Sequence, residues 1–315
     1  MTTPARSSIL RGPASIMLGG STIYTQGDIK CSFAIETFPV MSAAYGQTDE
    51  RLKDITIKLS FTPAGQWTTA LLAVLYPWTN PTPGSSVFGA TDAAVTLWPL
   101  NGTEKIVFTA GAVTKMPGLV LSATKTAYKE MEITCLLKNS ADRSAADALY
   151  TLTATAAYTD ATYAIAEIPT VPYTAAITGE IAAPWDSFIG EQGFEFDFNL
   201  KLNPTVLDGI GTVDMTHGGV DATCKLKPVG ITVAQVLTRL KIQDTGVKIG
   251  MAMSSAAADL TVTGGSGNPI VVLKNARMKM ASQIYGPQAL RHDGIEFAAT
   301  RPAGTGAIVT LGSVA

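Results

Sequence analysis

Apolar and polar side chains alternate cleanly at two places along the chain. Ile29, Cys31, Phe33 and Ile35 fall on one face of an extended segment, with Lys30, Ser32 and Glu36 on the other. Far downstream, Phe194, Phe196, Phe198, Leu200 and Leu202 alternate with Glu195, Asp197, Asn199 and Lys201. Period-two alternation marks a strand buried on one face and wet on the other. A polar, glycine-containing stretch follows each segment, Tyr45 to Lys53 and Ile210 to Gly219. A second alternating segment comes next: Ile55, Ile57, Leu59 and Phe61 in the first case, Val220, Ala222, Cys224 and Leu226 in the second. The unit predicted is a β-hairpin with a long connection. Hairpin loops usually hold about two to five residues, and a longer one is often functional.

The period then changes. Trp67, Leu71, Leu72 and Leu75 are spaced for one face of a helix, and so are Val233, Val236, Leu237 and Leu240. Pro63 and Pro228 stand just before these helices, and Thr232 is placed to act as an N-cap. The first helix is expected to stop at Pro77, and the second pattern fades at Gln243 to Gly246. Short strands return around 95–98, 105–109, 112–120 and 128–137. Each half therefore reads as mainly β, with one amphipathic helix covering the apolar face of a sheet.

The two halves share a spacing. DIKCSFAIETFP begins at Asp28 and GFEFDFNLKLNP at Gly193, which is 165 residues later (193 − 28). At the same spacing Pro39 meets Pro204, Gly46 meets Gly211, Asp49 meets Asp214, Pro63 meets Pro228 and Gly65 meets Gly230. One residue must be dropped to lay KEMEITC (129–135) over DGIEFAA (293–299), which pairs Glu132 with Glu296. Upstream, ASIMLGGSTIY (14–24) lies over GEIAAPWDSFI (179–189), with Ile16 on Ile181. Proline and glycine fix turns, because proline locks φ and glycine admits positive φ. The expectation is two copies of one domain, near 12–137 and 177–302. Domain bounds fall at 1–137 and 177–315, with 138–176 as a linker or arm running along a neighbouring subunit.

Composition narrows the function. Charged residues make up 15% of the chain, apolar ones 46% and aromatics 7%. Lys plus Arg number 23 and Asp plus Glu 25, a formal net charge of −2. That excludes a basic protein neutralising a long run of phosphates, and it is far from the composition of disorder. A surface so poor in charge fits burial against other copies. Cys31, Cys135 and Cys224 stand far apart, with neither metal-ligand spacing nor a disulfide framework, so they read as buried reduced thiols. The N-terminal stretch is broken by Arg11 and Pro13 and is no signal peptide. The longest apolar segment, Ala70 to Trp78, is too short to span a bilayer. The expected place of synthesis and folding is a cytoplasm, with no membrane partner.

No catalytic constellation emerges. The two histidines, His217 and His292, have no ligand or base partner at a useful spacing, and His217 reads as a solvated loop residue. The glycine-rich GGSGNP at 264–269 lacks the lysine of a phosphate loop. Asp49 and Asp214 recur in both halves but lie in the most polar part of the chain, which points to solubility or a subunit contact. The expectation is a protein that is not an enzyme and holds no cofactor or metal.

A domain copied in tandem without an active site points to assembly. If single copies close a six-fold ring, a two-copy chain closes it as a trimer. Sheets joined edge to edge around that ring lose their exposed edges. The opening GPASIMLGGSTIYTQGDIKCSF (12–33), the long-looped hairpin, the single helix and the later strands resemble the major tail tube proteins of long-tailed, siphovirus-like bacteriophages, in the version with two tandem tube domains. The resemblance implies tandem β-sandwich or barrel-type domains, each with one helix and a long hairpin loop. It also implies homotrimeric, pseudo-hexameric rings stacked into a helical virion tail, built in the bacterial cytoplasm. DNA passes through the lumen at ejection without specific binding, and tape measure, tail terminator and baseplate proteins are the further partners.

On that resemblance the inter-ring contacts fall on Tyr45, Gln47, Asp49, Glu50, Arg51 and Lys53, and on Ile210, Thr212, Asp214 and His217. The lumen face falls on Lys30, Ser32, Glu36, Thr56, Lys58 and Ser60, with Glu195, Asp197, Asn199, Lys201, Asp221, Thr223, Lys225 and Lys227 from the second copy. A mixed, nearly balanced lining suits a conduit better than a basic one. The alternatives are another phage ring or decoration protein, which stops after one layer, and a cytoplasmic β-rich binding protein or enzyme, which needs a deep pocket.

Overall fold

The computed structural model describes residues 15–64, 67–88, 92–98, 104–124, 127–136, 149–154, 172–178, 184–207, 211–240, 258–265, 269–285, 290–301 and 306–312. In chain order the elements of the first half are β1 (Ser15–Leu18), β2 (Ser21–Ile23), β3 (Lys30–Ser42), β4 (Gly46–Phe61), α1 (Thr69–Leu75), β5 (Ala93–Trp98), β6 (Glu104–Lys115), β7 (Leu119–Leu121), β8 (Ala127–Tyr128), β9 (Met131–Leu136) and β10 (Tyr150–Ala154). The second half adds β11 (Thr174–Ile177), β12 (Ile189–Leu207), β13 (Gly211–Val229), α2 (Val233–Leu240), β14 (Ala258–Thr263), β15 (Pro269–Tyr285), β16 (Leu290–Ala298) and β17 (Val309–Leu311). The chain is mainly β. One antiparallel sheet runs β2-β1-β5-β6-β9-β4-β3, with β10 beside β6. The other runs β11-β14-β15-β16-β13-β12-β7-β8, with β17 beside β15.

The long polar connection expected in the first hairpin is a ladder. β3 and β4 pair from Lys30↔Ser60 out to Ser42↔Gly46, so only residues 43–45 are left to turn the chain. Backbone hydrogen bonds hold this extension, and polar side chains suit it because both faces are wet. Gly46 closes the turn at φ 74, and Gly211 has the same rank in the other hairpin at φ 89. Positive φ is the region glycine enters without steric cost. The β12–β13 ladder likewise reaches Leu207↔Gly211.

The two hairpins carry one register displaced by 165 residues. Ile35 pairs Ile55 in the first, and Leu200 pairs Val220 in the second. The ladder slips by one residue after Glu36 and again after Val40; it slips after Lys201 and again after Thr205 in the other hairpin. Each slip is a β-bulge, which places two residues opposite one and turns the strand. The correspondence extends across both sheets. β5 and β14 begin at 93 and 258, and β6 and β15 at 104 and 269. β1 is flanked by β5 as β11 is by β14.

Two expected boundaries move. The segment 138–176 is not simply an arm, because its described ends are strands. β10 pairs β6 through Tyr150↔Phe108, and β11 pairs β14 through Ala175↔Val262. β17 occupies on β15 the place that β10 occupies on β6, through Val309↔Leu273. The first half thus runs to residue 154 and the second begins at 174; 138–148 and 155–171 lie outside the described residues. Upstream, the partner of Ile16 by strand rank is Ala175, since Ile16 pairs Leu97 as Ala175 pairs Val262. Ile181 lies outside the described residues.

Both helices are short and capped. Thr68 accepts a hydrogen bond from the Leu71 amide at 3.2 Å, and Leu71, Leu72 and Leu75 are buried. Thr232 Oγ1 accepts from the Gln235 amide at 3.3 Å while Gln235 Oε1 accepts from the Thr232 amide at 2.8 Å. This reciprocal pair satisfies amides that the first helical turn leaves free.

The core is one cluster shared by both halves. Phe194, Phe196 and Phe198 of β12 are buried as their alternation predicts. Phe196 and Phe198 are stacked at 6.4 Å, and Tyr76 meets Phe198 edge-on at 5.3 Å. In the first hairpin the same pattern is buried only in part. Ile57, Leu59 and Phe61 are buried, but Phe33 and Ile35 are exposed; Tyr150 of β10 meets the Phe33 ring edge-on at 6.4 Å without covering it. Cys135 and Cys224 are buried and Cys31 half-buried, all unpaired, and burial raises each thiol.

Candidate functional site

Strand register gathers the predicted polar residues onto one face of each hairpin. Lys30, Ser32 and Glu36 stand opposite Ser60, Lys58 and Asp54, with Thr56 opposite Ala34. In the other hairpin Glu195, Asp197, Asn199 and Lys201 stand opposite Lys225, Thr223, Asp221 and Gly219. Lys227 follows two residues after Lys225 and shares its face. Opposite charges meet along this face: Lys201 and Asp221 at 2.8 Å, Lys225 and Asp197 at 3.9 Å, Lys58 and Glu132 at 3.4 Å, Lys227 and Asp293 at 3.8 Å. Such exposed pairs contribute little stability, about 0–1 kcal/mol each. Their effect is to leave the face mixed in sign.

Lys129 was not singled out from sequence, yet it ties the two halves together. It donates to Glu195 and, at 2.6 Å, to Asp197. Partial burial pulls its pKa down, but hydrogen bonds from its ammonium to Asp197 and Glu195 outweigh that and hold it above the usual lysine value. The signal in sequence was the alignment of KEMEITC with DGIEFAA, which marked this segment without showing what it touched.

The two hairpin tips have different surroundings. Tyr45, Gln47, Asp49, Glu50, Arg51 and Lys53 are exposed on the free end of the first hairpin. Their contacts are local: Gln47 donates to Glu50 at 3.0 Å, and Lys53 pairs with Glu36 at 2.9 Å. That pairing raises the lysine's pKa. In the second hairpin the corresponding residues are engaged by the first half of the chain. Asp54 Oδ1 accepts from the Thr212 amide at 2.9 Å, and its Oδ2 from the Thr212 hydroxyl at 2.6 Å. Asp214 accepts from the Phe88 amide at 3.0 Å. Ile210 lies outside the described residues.

His217 is not the solvated loop residue expected from sequence. It is buried, with its ring 4.1 Å from that of Trp78. Neither ring nitrogen has a hydrogen-bond partner among the described residues. Burial lowers its pKa, and the nearby Asp214 opposes that only in part. The physical reason is a short stretch of the first half, residues 84–87, laid along β13 through one isolated bridge, Ser86↔Thr216. Gly84 N–H donates to the His217 carbonyl at 2.7 Å, the His217 amide to Ser85 at 3.0 Å, and Val87 N–H to Met215 at 2.8 Å.

Beyond it, β7 joins the outer edge of β12 through Phe194↔Leu121, Glu195↔Val120 and Phe196↔Leu119. Gly193 permits this approach, since a Cβ there would lie 2.1 Å from the Leu121 carbonyl oxygen. The halves are thus interlocked: β7 and β8 continue the β6–β9 hairpin but belong to the second sheet. Among the described residues no three His, Cys, Asp or Glu side chains converge on a metal-sized site. A cleft of about 370 Å³ opens on the polar face between Glu195, Lys225, Lys227 and Asp293. No helix of the described residues is long and apolar enough to cross a membrane. No protein-family model matches the chain, and none of the curated proteins matches it.

Proposed function

We propose that the chain is a tandem copy of one tube domain and a structural, non-catalytic protein that assembles into rings. Three chains form a pseudo-hexameric ring, and rings stack into the tail tube of a long-tailed bacteriophage. The observation that carries the reading is the single register, bulges included, shared by the β3–β4 and β12–β13 hairpins. Two units of one shape in one chain are what a ring of alternating, equivalent positions requires.

The polar faces of both hairpins line the lumen. Lys58, Lys201, Lys225 and Lys227 are each paired with a carboxylate, so the lining offers DNA no continuous basic track and lets it slide. The free first hairpin tip, with Tyr45 at its turn, reaches toward the adjoining ring. The virion and tape measure, terminator and baseplate partners follow from the same reading. A ring that stops after one layer, as in a baseplate, is the second reading, favoured by the second tip being occupied within its own chain.

Negative-stain microscopy of the purified protein tests the proposal. Hollow filaments support a tube; single rings at high concentration point to the second reading, and monomers alone refute both. Replacing residues 39–50 with Asn-Gly would close the hairpin at the Phe38↔Arg51 pair. This variant should give folded single rings without stacks, and filaments of normal length from it would refute the role given to the tip.

A further inference from the structure

The contact between the two halves leaves one half-contact open at each end of the chain. β12 has β13 on one side and β7 on the other. β3, its counterpart, has β4 on one side and, among the described residues, no strand on the other. The counterpart of β7 is the end of β15, since Leu119 and Val120 correspond to Ile284 and Tyr285 at the 165-residue spacing. There the chain does not cross to another sheet. It stays paired with β16 through Ile284↔Arg291 and Tyr285↔Leu290, with no strand described on its other side.

Exposure follows the same division. Phe198 is 4% exposed, but its counterpart Phe33 is 51% exposed. His217 is 2% exposed and its counterpart Leu52 50%. Leu72 of α1 is 6% exposed and its counterpart Leu237 of α2 39%. Positions closed where the halves meet are open where they end.

Charge completes the match. Lys129 of the first half meets Glu195 and Asp197 of the second. With the one-residue offset that pairs Glu132 with Glu296, the counterpart of Lys129 is Asp293, and the counterpart of Glu195 is Lys30. The signs are exchanged at these two positions, while the counterpart of Asp197 is the uncharged Ser32, so the second pairing is again attractive through one contact instead of two. Among the described residues Asp293, half-exposed, is held at 3.8 Å by Lys227 and at 3.4 Å by Ser282, and Lys30 is exposed with no ion pair.

We infer that β3 of one chain receives the end of β15 of a second copy, with Lys30 opposite Tyr285, Cys31 opposite Ile284, and Asp293 of the second copy against Lys30. The exchanged signs also set the order of halves. A first half docking on a first half would place Lys129 against Lys30, and a second on a second would place Asp293 against Glu195. Like charges in contact disfavour both, so first and second halves must alternate. The contact is head-to-tail, so it closes into a ring or continues as a helix according to its rotation. This inference rests on the ring-forming reading above and specifies its subunit contact.

Charge reversal and cross-linking test it. Lys30→Glu and Asp293→Lys should each weaken self-association about ten-fold by light scattering, and the double variant in one chain should recover it. Circular dichroism and urea unfolding of each single variant check that it still folds. In an Ile284→Cys variant, a thiol oxidant should link residue 284 of one chain to Cys31 of another, seen as a non-reducing ladder that Cys31→Ser abolishes. Unchanged association in both single variants, no recovery in the double, or assembled particles without the cross-link would each overturn the inference. Cross-linked rings that never stack would leave it standing and remove the tube.

Discussion

Gly46 and Gly211 occupy the same rank in two hairpins of one register, and they differ in surroundings. Both have positive φ, where an alanine costs roughly 1–2 kcal/mol. A Cβ on Gly46 meets nothing within 4 Å, whereas one on Gly211 would lie 2.5 Å from Asp54 Oδ1. Alanine at 211 must therefore displace the carboxylate that accepts from Thr212 at 2.9 and 2.6 Å. Hydrogen bonds to a charged group contribute about 1.5–3 kcal/mol each, and the abandoned Thr212 groups are buried. Gly46→Ala should cost about 1 kcal/mol and Gly211→Ala about 4 kcal/mol. The difference, about 3 kcal/mol, is a factor of roughly a hundred in local opening. Hydrogen exchange at the Thr212 amide reads it directly, with urea unfolding as the global measure. In an Asp54→Ala background the Gly211→Ala cost should fall most of the way to that of Gly46→Ala, since only the φ penalty and a 3.2 Å approach to the Lys53 carbonyl oxygen remain. Equal costs at the two glycines, or strictly additive effects with Asp54→Ala, would show that the Asp54 contact does not join the halves as described.

Three further outcomes follow from the same geometry. Burial lowers the folded-state pKa of His217, so the unfolded chain binds its proton first. Its contribution is constant above about pH 6.5 and stability falls as pH drops below that, by at most about 1.4 kcal/mol per pH unit; His217→Leu, the residue found at the matching position 52, should flatten urea midpoints compared between pH 7.5 and 5.5. Phe196→Ala should cost about 3–5 kcal/mol in chemical unfolding, because Phe196 is fully buried beneath the shared core. Lys129→Met should cost about 1 kcal/mol at low salt and less at 1 M salt, since its two carboxylate partners are only partly buried.

What could be read from the residues depended on whether one chemical pattern had one cause. β12 alternates because one face meets a core and the other meets water, so its stretch from Phe194 to Leu202 was legible, but not its ends at Ile189 and Leu207. The tip of β3–β4 is wet on both faces and shows no alternation. Only the glycine at its turn distinguished a ladder from a loop. β10, with the sequence YTLTA, is short and half polar; what makes it a strand is β6, a partner some forty residues away. β7 was seen as the tail of a longer strand. Its departure to the other sheet begins at Met116-Pro117-Gly118, where proline withholds an amide from the ladder. His217 was misjudged because its burial comes from residues 84–88 and Trp78, which no local pattern connects to it.

The placement of β7 also bears on the timing of folding. This strand leaves the ribosome well before β12, the strand it pairs with, has been made. Until then the first half carries an unpaired strand end of the kind that finds partners in other molecules. Once β12 emerges, tethering in the same chain gives it an effective concentration that free copies at low expression do not match. At high expression that advantage shrinks, and a nascent β7 can capture the β12 edge of a neighbouring chain instead. Such exchanged dimers would be composed of native contacts throughout, and their yield should rise with the rate of synthesis.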